Sequence, residues 1–389
     1  MRNSRLLSGV AILIAVAGSV LLGPGTTAEA APKLVFKAVS AGFVDTCGLT
    51  TKGAVKCWGY NGDGELGNGT TVDSAVPVGV SGLGKNVKAI SSGSYFTCAL
   101  TTKGAVKCWG SNSYGQLGDN TTTNSATPVA VYGLGKGVKA IAAGNFFACA
   151  LTTKGAVKCW GANTYGQLGN GTITGSARPV SVTGLGKGVK NLAGGGYHAC
   201  AVTTKGVPRC WGYNGEGELG DNTKVNSAVP VAIYSLSKGV KSMAAGSYTT
   251  CALTTRNTVT CWGYNGDGEV GDGTTTSTLK PVLDAGLGKK VKAISYGDIH
   301  GCALNSSGLV KCWGYNGYGA LGDNTTTSSS KPVEVYNMGG KVKAMSAGGY
   351  HSCAVTTKGA IRCWGFNAYG ELGDGTTTTS HKPVPVIGT

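Results

Sequence analysis

The chain has 389 residues with 34 lysines and arginines against 18 acidic residues, which gives a formal net charge of +16 at pH 7. Its 67 glycines recur at fixed positions, so they indicate turns rather than compositional disorder. Only four histidines are present and no cysteines are spaced Cys-x-x-Cys, which argues against a zinc site.

Residues 1–30 have the pattern of a secretory signal peptide. Arg2 and Arg5 precede an apolar or small-residue run over residues 6–22, and Ala28-Glu29-Ala30 offers a cleavage site before Ala31. The alternative is an uncleaved membrane anchor, although this run is short for a membrane span. We therefore expect a secreted or cell-envelope protein, in an oxidising compartment that suits its 14 cysteines.

The rest of the chain, residues 31–389, consists of one unit repeated every 51 residues. The repeats span approximately 33–83, 84–134, 135–185, 186–236, 237–287, 288–338 and 339–389. A tryptophan follows the second cysteine of every copy. A fixed period of this size indicates a solenoid or a propeller, and no residues are left over for a second domain.

Each copy contains a predicted β-hairpin. Around residues 98–108, apolar residues alternate with polar or small ones, which is the period of a strand. Gly104 can take the positive φ of a tight turn, and Asn257 replaces it in the fifth copy. Folding about this turn places Cys98 opposite Cys108, at a Cα separation of about 4.5 Å that permits a disulfide.

The hairpin therefore predicts one disulfide per copy. The seven pairs are Cys47-Cys57, Cys98-Cys108, Cys149-Cys159, Cys200-Cys210, Cys251-Cys261, Cys302-Cys312 and Cys353-Cys363. The alternative is that these residues are free thiols, buried as small apolar side chains.

Four strands per copy predict an all-β, seven-bladed β-propeller. The first resembles residues 137–141, the hairpin supplies the second and third, and the fourth resembles residues 128–131. A solenoid would need atypical end repeats, whereas the terminal copies here are ordinary. The sequence leaves open whether residues 383–386 pair within the last blade or with the first strand.

Two segments resemble the repeats of a known family. They are Trp109-Gly110-Ser111-Asn112-Ser113-Tyr114-Gly115-Gln116-Leu117-Gly118 and Gly349-Tyr350-His351-Ser352-Cys353-Ala354-Val355. The family is that of the regulator of chromosome condensation, and the resemblance extends over residues 33–389. It implies a seven-bladed propeller. Local departures from the repeat pattern are Val270, Ala320 and Pro208.

The resemblance implies more than one activity. The nuclear founder of the family is a guanine-nucleotide exchange factor for a small GTPase and binds chromatin. A secreted branch is similar to the propeller-type β-lactamase inhibitory protein, which binds its enzyme with aromatic residues on one face. An exported chain with paired cysteines fits the secreted branch better, but the fold itself does not fix the function.

Because strands alternate in direction, the loops after the first and third strands share one face of the disc, and the hairpin and inter-repeat turns share the other. Without the predicted signal, the chain has 32 basic and 17 acidic residues, since Arg2, Arg5 and Glu29 are removed. Fifteen of the acidic residues lie in the segments on the face formed by the loops after the first and third strands: Asp45, Asp63, Glu65, Asp73, Asp119, Glu216, Glu218, Asp221, Asp267, Glu269, Asp272, Asp298, Asp323, Glu371 and Asp374. Lysines such as Lys103, Lys136 and Lys358 lie in or beside the opposite turns, so we expect one acidic and one basic face.

The loop before each hairpin carries the candidate binding residues. Three positions before the first cysteine stand Val44, Tyr95, Phe146, Tyr197, Tyr248, Ile299 and Tyr350. The next position holds Asp45, Phe96, Phe147, His198, Thr249, His300 and His351. Interleaved aromatic and polar groups are typical of protein-recognition surfaces. The structural alternative is that these residues complete the packing of the blades, with the histidines satisfied internally.

The sequence thus predicts a non-catalytic, monomeric binding module with no cofactor and no metal, recognising a protein through the aromatic and acidic face in an enzyme-inhibitor-like way. The alternative function is a structural or adhesive cell-envelope protein whose basic face binds anionic polymer. Lysines without interleaved aromatics argue against sequence-specific nucleic-acid binding. Catalysis finds little support, because no serine or cysteine nucleophile recurs beside a histidine. Asp63 and Glu65 alternate like calcium ligands but lack a distal bidentate glutamate.

Overall fold

The computed structural model describes residues 33–389, so the predicted signal peptide lies outside the described residues. Its 28 strands form seven four-stranded antiparallel sheets, and in each sheet every strand pairs with its neighbour in the chain. The fold is the predicted seven-bladed, all-β propeller. Over residues 33–389 there is no helix long and apolar enough to cross a membrane.

The first strands of blades 1–7 are Phe36–Ala41, Val87–Ser92, Val138–Ala143, Val189–Gly194, Val240–Ala245, Val291–Tyr296 and Val342–Ala347. The second strands are Asp45–Thr50, Phe96–Thr101, Phe147–Thr152, His198–Thr203, Thr249–Thr254, His300–Asn305 and His351–Thr356. The third strands are Val55–Gly59, Val106–Gly110, Val157–Gly161, Pro208–Gly212, Val259–Gly263, Val310–Gly314 and Ile361–Gly365. The fourth strands are Ser74–Gly79, Ser125–Ala130, Ser176–Ser181, Ser227–Ala232, Thr278–Leu283, Ser329–Glu334 and Ser380–Pro385.

The hairpin has the predicted register in every blade. In blade 2, Cys98 is the cross-strand partner of Cys108, and the two Cα atoms lie 4.1 Å apart. All seven predicted disulfides are formed, and residues 33–389 contain no free cysteine. The turn glycine Gly104 has φ 79°, and Asn257 takes φ 60° at the equivalent position.

The hydrophobic cores lie between blades. Side chains at alternate positions of a second strand point to opposite neighbours: Cys98 and Leu100 pack against Trp160 of blade 3, whereas Ala99 packs towards Leu49 of blade 1. Second strands are therefore buried on both sides, unlike the half-exposed fourth strands at the rim. Seven such cores surround the axis, one for each pair of neighbouring blades.

The conserved spacing of the repeat places each tryptophan across a blade boundary. All seven tryptophans are fully buried, and each indole Nε1 donates to a backbone carbonyl of the preceding blade. Trp160, for example, donates to Gln116 O at 2.9 Å. Gly118 lies against this ring with φ 69°, where an added Cβ would come within 2.6 Å of the indole nitrogen.

The ring closes without exchange of a strand. The last strand, Ser380–Pro385, pairs with the third strand of its own blade. Blade 1 meets blade 7 through the same kinds of contact as the other boundaries: Trp58 Nε1 donates to Glu371 O at 2.8 Å, and Phe36 packs into the shared core. This resolves the question that the sequence left open.

Candidate functional site

The two faces of the disc are defined by their backbone contacts. On one face, the hairpin turns lie beside the inter-blade turns: Val87 N donates to Gly53 O at 3.1 Å, and Thr102 N donates to Asn86 O at 2.8 Å. We call this the turn face. The loops after the first and third strands of every blade emerge on the opposite side, which we call the loop face.

Backbone hydrogen bonds join neighbouring blades around the mouth of the central channel on the loop face. The seven bonds run from the N–H of residues 43, 94, 145, 196, 247, 298 and 349 to the carbonyls of residues 93, 145, 196, 246, 298, 348 and 42. They leave a channel cavity of about 60 Å³, lined mainly by glycine, alanine and serine. The narrow centre therefore supports the surrounding loops and has little room for a ligand of its own.

Above this mouth lies a shallow depression of about 260 Å³. It is lined by all six large residues that the sequence analysis places three positions before the first cysteine, a set we call the face ring: Tyr95, Phe146, Tyr197, Tyr248, Ile299 and Tyr350. Each is partly exposed, and Tyr248 is exposed to 38%. Val44, at the same position of blade 1, is buried instead, and Phe43 lines the depression beside it.

The next position of every blade, which we call the seam ring, is buried. It comprises Asp45, Phe96, Phe147, His198, Thr249, His300 and His351, and none exposes more than 1% of its surface. These residues begin the second strands and project into the boundary with the following blade. Their burial supports the structural role that the sequence leaves open, and it keeps all of them except Thr249, which borders a surface pocket, away from the exposed surface of the loop face.

The seam histidines bond to hydroxyl groups across the blade boundary. His198, His300 and His351 each place Nε2 2.7 Å from the hydroxyl of Thr250, Ser352 or Thr46, respectively. Each of those hydroxyls donates its proton to a backbone carbonyl, so it accepts from the histidine, which carries its proton on Nε2. Burial lowers the pKa of His198 and His351 to about 3 and that of His300 to about 4, so all three are neutral near pH 7.

The seam residue and its neighbour in the next blade vary together. Histidine faces threonine or serine, whereas Phe96 and Phe147 pack against Ala148 and Ala199. At the boundary between blades 5 and 6 both positions are small, Thr249 and Gly301, and the ring of Tyr296 fills the space beside the glycine. Asp45 in blade 1 accepts from Thr97, and burial raises its pKa well above the usual value.

The structure adds a second source of aromatic side chains that the sequence analysis missed. These lie in the loop after each tryptophan, at the second position (Tyr60, Tyr213, Tyr264, Tyr315 and Phe366) and the fifth (Tyr114, Tyr165, Tyr318 and Tyr369). Many contact the face ring, as Tyr114 does Phe146 at 5.3 Å and Tyr318 does Tyr350 at 5.3 Å between ring centroids. The sequence contained a clue to these residues. At the second and fifth positions after the tryptophan, some copies have an aromatic residue and the others have a small or acidic one, although the loops are otherwise closely similar.

The same loops are rigid for a reason visible in the repeat motif. Asn112 is fully buried, accepts from Leu117 N at 2.9 Å and donates to the carbonyls of Thr121 and Thr123. Gln116 Oε1 accepts from Tyr114 N at 2.9 Å, and glutamate does the same at the equivalent position of four blades. The loop tyrosines are therefore mounted on a hydrogen-bonded frame and need little ordering on contact with a partner.

Several acidic residues of the loop face are buried. Glu65, Glu218, Glu269 and Glu371 are at most 1% exposed, and burial raises the pKa of each to about 7. Asp298 lies at the channel mouth, where burial raises its pKa to about 6. The predicted acidic loop face therefore carries a charge that depends on pH near neutrality.

The turn face carries exposed lysines, as the sequence predicts for these turns. Lys52, Lys103, Lys154 and Lys358 lie in hairpin turns, and Lys136 lies in an inter-blade turn. Among residues 33–389 a single ion pair occurs, between Lys224 and Glu216 at 3.4 Å, and both side chains are exposed. The same residues contain no cluster of three or more histidine, cysteine or acidic side chains placed to hold a metal ion.

Comparison with known proteins places this geometry in a known family. A family model described as the RCC1-like domain matches residues 18–287. Models of the regulator of chromosome condensation (RCC1) repeat match residues 291–320, 342–371 and 307–355.

Individual relatives cover most of the chain. The ultraviolet-B receptor UVR8 of Arabidopsis thaliana is 31% identical over 352 residues, covering 89% of this chain and 80% of the receptor. The human E3 ubiquitin-protein ligase HERC2 is 32% identical over 330 residues, which is 82% of this chain but 7% of that protein. The structure of Prp20p from Saccharomyces cerevisiae, described with its binding properties to Gsp1p and histones, matches with a TM-score of 0.77 at 23% identity, covering 87% of each chain.

Proposed function

The chain belongs to the family of RCC1-like domains. We propose that it is a non-catalytic module that recognises another protein through its loop face, and that it is exported, for which the signal-peptide pattern of residues 1–30 is the support. The observation that carries the proposal is the single depression lined by all six residues of the face ring and bordered by the loop tyrosines. Tyrosine supplies large contact area at little cost in conformational entropy, which is why it is enriched where binding energy concentrates.

Two further features support protein recognition. The face is broad and shallow, which suits a protein surface better than a small molecule enclosed in a deep pocket. The loops are held by internal hydrogen bonds, so binding would require little rearrangement.

The experiment is affinity capture from the native extracellular fraction with the chain from residue 31 onwards. The test variant replaces Tyr95, Phe146, Tyr197 and Tyr248 with alanine. The matched control replaces Tyr132, Tyr234 and Tyr336, which are exposed to 55%, 49% and 52% and follow the fourth strands at the rim. We expect the wild-type and control proteins to retain the same partner and the test variant to lose it. Equal retention by the test variant would refute the proposal.

The second candidate function is attachment to an anionic cell-envelope polymer through the turn face. The exposed lysines of the hairpin and inter-blade turns favour it. Such a complex should dissociate between about 0.1 and 1 M salt, because the Debye length falls from about 10 Å to about 3 Å. A complex made by the face ring should persist over that range, so a salt titration of the captured material separates the two functions.

A further inference from the structure

The aromatic surface of the loop face has a gap at the boundary between blades 5 and 6. On one side, Tyr248 contacts Tyr197 and Tyr213 at centroid distances of 6.3 and 6.1 Å. In blade 6, the face ring continues with Ile299 instead of an aromatic residue. Among residues 33–389, Tyr264 contacts no other aromatic ring, and it is exposed to 37%. Tyr264 is thus a partly exposed ring that lies beside the gap.

A pocket of about 380 Å³ opens at this gap, and we call it the blade 5–6 pocket. Its lining residues come from blades 4, 5 and 6: Tyr213, Glu216, Tyr248, Thr249, Tyr264, Asp267, Glu269, Asp298 and Ile299. Three tyrosines and one isoleucine supply apolar walls, and four carboxyl groups are present, of which that of Glu216 is already paired with the Lys224 ammonium at 3.4 Å. No lysine, arginine or histidine is among the lining residues.

The carboxyl group of Glu269 has unused bonding capacity. Its Oε2 accepts from Asp267 N at 2.9 Å. Its Oε1 is buried and has no hydrogen-bond partner, and the residue is 1% exposed. A buried, unpartnered carboxylate oxygen costs free energy that a donor entering the pocket would recover. Glu371 has the same unpartnered oxygen in blade 7 but does not line this pocket.

We propose that the blade 5–6 pocket binds an alkylammonium group, presented as the lysine side chain of a partner protein. The tyrosine faces attract the cation, Ile299 and the rings cover its alkyl chain, and Glu269 Oε1 accepts a hydrogen bond from the ammonium. The inference rests on the proposed function in one respect, that the cation belongs to a protein bound on the loop face.

The geometry favours ammonium over guanidinium and over a metal ion. A guanidinium pairs best with both oxygens of one carboxylate, whereas Glu269 Oε2 is already engaged by the backbone. An ammonium donates separate hydrogen bonds in different directions, which suits the carboxyl groups that blades 5 and 6 contribute through Glu269 and Asp298. Calcium would need six or more oxygen ligands, and tyrosine-lined walls do not provide them.

A bound cation would also change the ionisation of the pocket. Burial holds the pKa of Glu269 at about 7 and that of Asp298 at about 6, and Asp267 adds its charge beside Glu269. Glu216 and the phenols of Tyr213, Tyr248 and Tyr264 are the other titratable groups of the lining, and Lys224 adds a positive charge 3.4 Å from the Glu216 carboxylate. Because a cation favours the ionised carboxylates, affinity should rise between pH 6 and pH 8.

The test titrates the full chain with n-butylammonium, n-butylguanidinium and the neutral 1-pentanol, followed by NMR shifts of the tyrosine rings. We expect butylammonium to bind at least tenfold more tightly than pentanol and at least threefold more tightly than butylguanidinium. Equal binding of butylammonium and pentanol would overturn the inference, and tighter guanidinium binding would replace lysine with arginine and overturn it as stated.

The decisive variant is Glu269→Gln, with Glu371→Gln as its control. Glutamine stands at this loop position in blades 2 and 3, where Gln116 and Gln167 keep the same backbone hydrogen bond, so the substitution preserves the loop. We expect Glu269→Gln to weaken butylammonium at least fivefold and Glu371→Gln to leave it unchanged. Equal effects of the two variants would refute the assignment.

The two proposals fail separately. If alanine substitutions in the face ring abolish the protein partner but butylammonium does not bind, only the lysine pocket is refuted. If butylammonium binds as expected but capture yields no partner that depends on the face ring, the pocket stands as an alkylammonium site and the protein-recognition function is refuted.

Discussion

The face ring and the seam ring occupy consecutive positions in every blade but lie in opposite environments. Phe146 contributes to a shallow surface depression, and Phe147 is fully buried between two blades. The seam residue varies together with its neighbour across the boundary, whereas the face residue varies independently of it. Variation at the seam is thus constrained by packing, and variation on the face is available for recognition.

The largest expected effect on stability tests the difference between the two rings directly. Phe147→Ala should lower the free energy of unfolding by about 3–5 kcal/mol, because it leaves a cavity in the core between blades 3 and 4. Phe146→Ala should cost about 1 kcal/mol or less, since the side chain is partly exposed. Guanidinium unfolding with the disulfides intact measures both. Similar losses for the two variants would show that the rings do not differ in role.

The pairing across the seam predicts a coupling energy. His198→Phe places an aromatic ring against Thr250, whose hydroxyl then loses the histidine 2.7 Å away, and should cost about 2 kcal/mol. Adding Thr250→Ala reproduces the Phe–Ala pair of blades 2 and 3. We expect the double variant to recover about 1–2 kcal/mol in a double-mutant cycle. Additive losses would mean that the two positions vary together for another reason.

The seam and the loops should also respond to pH with opposite sign. The seam histidines have folded pKa values of about 3 or 4, below the unfolded value of about 6.5, so the unfolded chain binds more protons and stability falls as pH falls. Each seam histidine should therefore lower the free energy of unfolding by about 1 kcal/mol between pH 7 and pH 5.5. The His198→Phe, Thr250→Ala protein should lack one such contribution in denaturant titrations at the two pH values.

The buried loop glutamates behave in the reverse way. Glu371 has a folded pKa of about 7, above its unfolded value, so its contribution is greatest in acid and declines as pH rises from about 4.5 to above 7. The free energy of unfolding of the Glu371→Gln variant, relative to that of the wild-type protein, should therefore be higher at pH 7 than at pH 5.5. A decrease at pH 7 would indicate that the carboxylate is stabilised in its ionised form.

The smallest expected effect on stability is that of the face ring itself. Tyr248→Ala should change the free energy of unfolding by about 0.5 kcal/mol, because the residue is 38% exposed. The same substitution should weaken partner binding at least tenfold, measured by titration calorimetry with the captured partner. Tyr336→Ala, at the rim, serves as the control and should change neither quantity appreciably.

The fold could be predicted from the sequence because the same pattern of strands, turns and cysteines occurs seven times. Alternation identified the hairpin, and Cys98 and Cys108 were paired correctly because turn geometry fixes their register. The order of the last strand was not predictable, since residues 380–385 have the same pattern whether they pair with blade 7 or blade 1. Only the three-dimensional arrangement shows that the ring closes by packing and by the Trp58 hydrogen bond.

The candidate site was predicted in part. The residues of the face ring were identified, but the burial of Phe96 was not separated from the exposure of Tyr95. Parity offered a clue, because Phe96 shares its side of the strand with Cys98 and Leu100. The loop tyrosines were missed because they stand inside a family motif, and the blade 5–6 pocket was not predictable because its walls come from three blades.

Per-residue oxidative footprinting of tyrosines tests the central claim most directly, because the chain carries reporters in both regions. We predict that bound partner protects Tyr95, Tyr197, Tyr248 and Tyr350 on the loop face and leaves Tyr132, Tyr234 and Tyr336 at the rim as reactive as in the free protein. Protection of the rim tyrosines with unchanged reactivity of the face ring would contradict recognition through the loop face.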